Sequence, residues 1–243
     1  MYRSRSPLCV VAVLGGAFAL CAADKEDGAV KLFNGKNLTG WKVPEGDNGH
    51  WKVLDGVIDY DAKSESKKDK TLWTEKSYGD FVLTLDWRLK NEPGVKHAVP
   101  VIGPDGNATK EMVEINDVDS GIYLRGSPKS QVNIWNWPCG SGEVWGYRTD
   151  AKMPAEVRAA VTPRKKADKP NGEWNTFVIT MKGDRLWVKL NGEEVIANAQ
   201  LPGVAKEGPI GLQHHGGWDA RAGKWSGPPS LVQFRNIAIK ELK

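Results

Sequence analysis

The chain has 243 residues, with 34 Lys and Arg against 30 Asp and Glu, and its formal net charge of +4 is too even for a dedicated nucleic-acid binder with a basic stripe. An apolar share of 40% with 26% charged residues excludes intrinsic disorder. Eleven Trp, about 4.5% of the residues, is several times the usual share and asks for an explanation in surface or site chemistry.

Residues 1–23 read as an export signal. Arg3 and Arg5 form a basic start, residues 8–20 an apolar stretch, and Cys21, Ala22 and Ala23 offer small residues for cleavage before Asp24. The expected product is a single domain over 24–243, exported to the periplasm or beyond the cell, with no membrane span after cleavage and a net charge of +2. Cleavage would leave only Cys139, so no internal disulfide is expected and the fold must hold by its core.

Short strands follow. Residues 51–54 and 57–60 flank Asp55-Gly56 as a hairpin. Phe81 to Leu89 alternates, with Phe81, Leu83, Leu85, Trp87 and Leu89 on one face. Residues 91–111 are crowded with Pro, Gly and Asn and predict a long surface loop. Strands are predicted at 122–125 and 131–135, joined by a five-residue loop, and a one- or two-turn helix at 155–161. A second loop is predicted at 162–173, its basic cluster read as a solvated surface. Residues 177–181, 185–190 and 194–196 form hairpins through Gly183-Asp184 and Asn191-Gly192. Strands at 210–214 and 231–239 complete the set, the last with a bulge near Arg235-Asn236 where its apolar phase shifts. Many short strands without sustained helical periodicity indicate an all-β antiparallel sandwich.

Strand parity picks out a site. With Ile122, Leu124, Val132, Ile134, Ile210 and Leu212 inward, the side chains of Tyr123, Arg125, Gln131, Asn133, Trp135, Gln213 and His215 face outward. Aromatic rings take the apolar faces of sugars, while amides and guanidinium bond hydroxyl groups, so the expected partner is a sugar. His215 is the expected acid or base, and His214, on the opposite face, a structural residue. Glu143 and then Asp119 are the carboxylate partners, and Trp135, Trp145 and Tyr147 the sugar platform. Glu114, Asp117 and Asp119 cluster before the 120–125 strand and could hold a hard divalent cation, although no metal motif is present. Trp51, Trp73, Trp87, Trp174 and Trp187 read as packing residues.

One set of segments occurs in family order: residues 32–41 (LFNGKNLTGW), 79–83, 119–126 (DSGIYLRG), Trp174-Asn175, 190–192, 208–216 (GPIGLQHHG) and 234–237. Together they resemble the 3-keto-disaccharide hydrolase domain family over roughly residues 30–242. The resemblance implies a jelly-roll sandwich of the concanavalin A-like lectin/glucanase type, exported in bacteria and acting on oxidised glycosides. That family often has Asn where this chain has Asp119, acids near Gln131 and Asn136, and Asp where His214 stands. A ketone at C3 acidifies the C2 hydrogen, so cleavage can proceed by deprotonation at C2 and elimination at C1. This needs a base, an acid and an oxygen-binding group (a donor or a metal), with Arg125 and Gln213 or Asn133 the expected donors, rather than the paired carboxylates of ordinary glycosidases. Such a pair, in a glucanase-like E-x-D-x-x-E run, is absent. A non-catalytic carbohydrate-binding module would use the same groove without a titrating residue, and an adhesion protein would need only the sandwich and export.

Overall fold

The computed structural model describes residues 28–243, so the expected export signal lies outside the described residues. The strands and helices run in the order β1 (Val30–Lys31), β2 (Trp41–Lys42), β3 (Lys52–Leu54), β4 (Val57–Asp61), β5 (Leu72–Tyr78), β6 (Phe81–Leu89), β7 (Val95–Ile102), β8 (Ala108–Asp117), β9 (Asp119–Leu124), β10 (Ser127–Trp135), α1 (Trp145–Arg148), α2 (Ala155–Ala160), β11 (Asn175–Lys182), β12 (Arg185–Leu190), β13 (Glu193–Gln200), β14 (Gly208–Leu212), β15 (Trp218–Asp219), β16 (Lys224–Trp225) and β17 (Leu231–Glu241). Two antiparallel sheets make the sandwich. The larger has the order β13-β12-β11-β6-β17-β4-β3, with β1 also on β17, and the smaller β10-β9-β14-β5-β2. No described helix is long and apolar enough to cross a membrane.

Alternation builds the core. The β6 residues Phe81, Leu83, Leu85, Trp87 and Leu89 are buried while the residues between them are half-buried. They pack with Phe177, Ile179, Val188 and Phe234 of the same sheet and with Leu72, Ile122, Leu124, Val132, Ile134 and Leu212 of the other. The apolar faces of two sheets thus close on each other, which is what fixes the register of every strand. Asp55-Gly56 and Asn191-Gly192 both take positive φ, as two-residue hairpin turns require. The bulge expected in the last strand is present: pairing of β17 with β6 shifts between Arg235 and Ala238, and Asn236 has φ +52°.

Two sequence expectations need correction. The segment 91–111 is no loop: most of it pairs as the β7–β8 hairpin, with Pro100 opposite Met112. An isolated ribbon leaves outer edges unpaired, so a missing N–H costs nothing there. The turn between β9 and β10 is also tighter than five residues. Arg125 and Gly126 both have positive φ, Ser127 pairs with Leu124, and a bulge absorbs the extra residues before Gln131. The short helix was expected at 155–161 and spans Ala155–Ala160, whereas α1 had no sequence signal.

Candidate active site

The outer face of the smaller sheet carries rungs of side chains. The first rung aligns Gln131, Tyr123, Gly211 and Trp73 across four strands. Gly211 leaves room for the Trp73 ring, since a Cβ there would lie 2.7 Å from it, and that indole meets Tyr123 at 5.5 Å between ring centroids. Gln131 donates to the Gln213 side chain (2.7 Å) and to the Ser120 carbonyl (3.2 Å), and Gln213 in turn bonds Tyr123. Burial pushes the Tyr123 hydroxyl up to about 12, so it remains a neutral donor or acceptor. The second rung pairs Asn133 with Gly121; a Cβ at Gly121 would strike the Gln131 side chain at 2.5 Å.

The third rung pairs Trp135 with Asp119 and holds His215 beside them, Nδ1 lying 4.0 Å from Asp119 Oδ2. The buried Ser230 hydroxyl donates to the Asp119 carbonyl (2.8 Å) and accepts the His215 N–H (2.7 Å), which fixes the two backbones relative to each other. His215 Nδ1 lies 2.6 Å from the Pro228 carbonyl. A carbonyl only accepts, so Nδ1 carries the proton and Nε2 keeps its lone pair. The ring is 40% exposed, so that lone pair is reachable.

Carboxyls collect at this end. Asp117 accepts from His97 Nε2 (2.8 Å) and Trp137 Nε1 (3.2 Å). Burial, Asp117 and Glu143 together hold the Asp119 carboxyl well above the usual range. Burial likewise raises Asp117. Oδ1 of Asp117, Oδ1 of Asp119 and Oδ1 of Asn133 are all buried without a partner. Leaving buried acceptors unpaired is costly, and a carboxyl that keeps its proton lowers that cost by one acceptor. Glu114 is exposed on β8, and no three described His, Cys, Asp or Glu residues stand close enough to share a metal ion. The donor set expected for a hard cation is therefore not assembled among the described residues.

The structure brings Tyr123, Gln131, Asn133, Gln213, Asp119 and His215 together and removes others. Arg125 is the main correction. Its positive φ (+51°) breaks the strand's alternation, and the buried guanidinium bonds the carbonyls of Gly79, Gly183 and Ala205 and the Asp80 carboxylate. Glu143 is fully buried, 2.5 Å from Arg148 Nε and within reach of Cys139 Sγ, so it presents no face to a substrate. Burial raises it to about 7 against the opposing pull of Arg148. Tyr147 lies in the core with its hydroxyl on the Pro202 carbonyl. Trp145 is exposed, but Gly146 beside it rests on Lys129, six residues along β10 and so roughly 20 Å from Trp135. Trp135 is itself covered: Trp137 stacks on it at 4.5 Å and presents the accessible ring. The available platforms are therefore Trp73 and Trp137. Trp73, read from the sequence as a packing residue, instead faces outward between the inward Leu72 and Thr74; Asp117 was read only as one of three acids for a cation, and His97 and Ser230 had no local signal. His214 sits as expected of a structural residue: burial pushes it down to about 4, and it is bonded to the Tyr60 hydroxyl at 2.7 Å.

Three solved structures share this architecture, all described as candidate glycosyl hydrolases of Parabacteroides distasonis. One is 21% identical, with TM-score 0.55 over 89% of this chain and 84% of its own. The second is 22% identical, with TM-score 0.54 over 89% and 95%. The third is 23% identical, with TM-score 0.51 over 88% and 99%. At these identities the likeness speaks to the fold alone, an antiparallel β-sandwich. No curated protein sequence matches the chain. The profile of one domain family matches residues 28–240, nearly the whole described chain, and the protein belongs to that family, the 3-keto-alpha-glucoside-1,2-lyase-like domains.

Proposed function

We propose that this carbohydrate-active domain cleaves 3-keto-glycosides by proton abstraction at C2 and elimination at C1, after export to the periplasm or beyond. The observation that carries the reading is the His215–Asp119 pair: an imidazole whose Nε2 lone pair is left free by the Pro228 carbonyl, beside a carboxyl held protonated beyond its usual range. The C3 ketone acidifies the C2 hydrogen, so a base of imidazole strength suffices. His215 Nε2 takes that proton and the electron pair moves into an enolate, whose oxygen accepts a hydrogen bond from the Asn133 Nδ2–H group. The enolate then expels the C1 substituent, and the Asp119 carboxyl gives its proton to the departing oxygen. The unsaturated keto-sugar leaves as such, or water adds at C1 with the two groups acting in reverse.

Trp73 and Trp137 supply ring faces for the sugar, and the Tyr123–Gln213–Gln131 network stiffens the floor beneath it. His215→Gln keeps a planar polar side chain but no base. On a 3-keto-glucoside its kcat is expected to fall at least ~100-fold with the circular dichroism unchanged. Undiminished turnover in a folded variant would remove His215 from the reaction.

A further inference from the structure

One residue after His215 the chain enters a small arm, β15 and β16, that the reaction does not use. Gly216 has φ +65° and is pressed onto the Pro228 carbonyl; a Cβ there would lie 2.7 Å from that oxygen. The same oxygen holds His215 Nδ1, so the arm and the imidazole share one anchor. At the arm's base Trp218 and Trp225 pair across strands with their rings edge to face at 5.1 Å. Trp218 is 43% exposed, an unusual position for the largest apolar side chain. The Lys63 ammonium sits 5.3 Å from the Trp218 ring and 6.0 Å from that of Trp225. Beside them opens a cavity of about 550 Å³, lined also by Lys70, Arg221 and Asp219.

The charges in this cavity are unbalanced. Asp219 Oδ1 is committed to the arm's own turn, accepting the N–H groups of Arg221 (2.9 Å) and Ala222 (3.0 Å). Lys63, Lys70 and Arg221 form no ion pair with any described carboxylate. The cation held over the indoles keeps its remaining N–H donors for a ligand. An exposed Trp face next to three uncommitted cations matches a pyranose that bears a negative charge: the ring stacks on its C–H face and the cations take its carboxylate or sulfate.

We propose that this pocket binds an anionic sugar unit, a hexuronate or a sulfated hexose. Trp218 is three residues from His215, so their Cα atoms are no more than about 11 Å apart. On the proposed reaction, which this last step rests on, the anionic unit is the one attached to the oxidised sugar, and the arm selects acidic glycosides.

The test needs no catalysis. Methyl glucuronide, glucose 6-sulfate and methyl glucoside are titrated by calorimetry into the full chain, its Trp218→Ala variant, a variant with Lys63, Lys70 and Arg221 all changed to Ala, and His215→Gln. At least one anionic sugar is expected to bind at least ~10-fold more tightly than methyl glucoside, and which of the two does so names the charged group. Either arm variant should weaken that binding ~10-fold or more, and so should raising salt from about 50 to about 500 mM. His215→Gln should bind like the native chain, so a failed reaction mechanism leaves this result standing. Equal binding of neutral and anionic sugars, or native affinity in both folded arm variants, would overturn the proposal.

Discussion

The Pro228 carbonyl can only accept a hydrogen bond, and that single constraint decides which nitrogen of His215 is available to a substrate. Asp119 is shaped the opposite way, by what it lacks: one oxygen has no partner, and burial, with two neighbouring carboxyls, disfavours its charge. In the proposed reaction the sugar is positioned with the help of a residue without chemistry. Gly211 exists so that the Trp73 indole can lie over it, within reach of Tyr123. Trp73→Ala is expected to raise KM roughly tenfold, about 1.4 kcal/mol, with kcat little changed. Gly211→Ala should move KM in the same direction by displacing the ring. Steady-state kinetics on a 3-keto-glucoside checks both; a fall in kcat at constant KM would instead assign Trp73 to the reacting centre.

At the level of elements, Arg125 is a tie rather than a ligand. Four hydrogen bonds from its guanidinium join the turns at Gly79, Gly183 and Ala205 at the end of the sandwich away from His215. Removing it strips four hydrogen bonds made by a buried charged group and leaves a void where the guanidinium sat, so Arg125→Ala is expected to cost about 3 kcal/mol of stability. Arg125→Lys should rescue little of this, because an ammonium cannot reproduce the planar fork. The midpoint of urea unfolding measures the loss, and an unchanged midpoint would contradict this role. The same residue shows where sequence reading stops. Alternation placed Tyr123, Gln131 and Asn133 correctly because each lies inside a paired strand, and Gln213, one residue past β14, stays in phase because its N–H bonds the Gly121 carbonyl at 2.9 Å. Arg125 lies one residue past the end of β9, where positive φ rotates the side chain out of phase. Likewise the β7–β8 ribbon was hidden by its prolines, which mark loops inside sheets but are harmless on an isolated hairpin. Trp135 was read correctly in direction, yet nothing local announced that Trp137 would lie over it.

Across the whole molecule, the three carboxyls that burial raises, Asp117, Asp119 and Glu143, gather at the His215 end, while apolar packing fills the space between the sheets. Glu143 illustrates the consequence for pH. Its value in the folded chain, about 7, is above the ordinary 4.5, so ionising it costs more in the folded state than in the unfolded one. Its contribution to stability is therefore full below about pH 4.5 and is lost as pH rises through about 7. Glu143→Gln removes that dependence, although it also weakens the contact with Arg148. Thermal unfolding at about pH 5 and about pH 8 should show the native chain losing more Tm across the interval than the variant does. Equal slopes would mean that Glu143 ionises as freely in the fold as in the unfolded chain.

In the proposed reaction the free nitrogen of His215 removes a proton from C2 of an oxidised glycoside. Proton magnetic resonance in deuterated water reads that step directly on a 3-keto-glucoside. The native chain should place deuterium at C2 of recovered substrate or of the hydrated product, and His215→Gln should place none. Cleavage of the C1 bond with hydrogen fully retained at C2 would contradict the account.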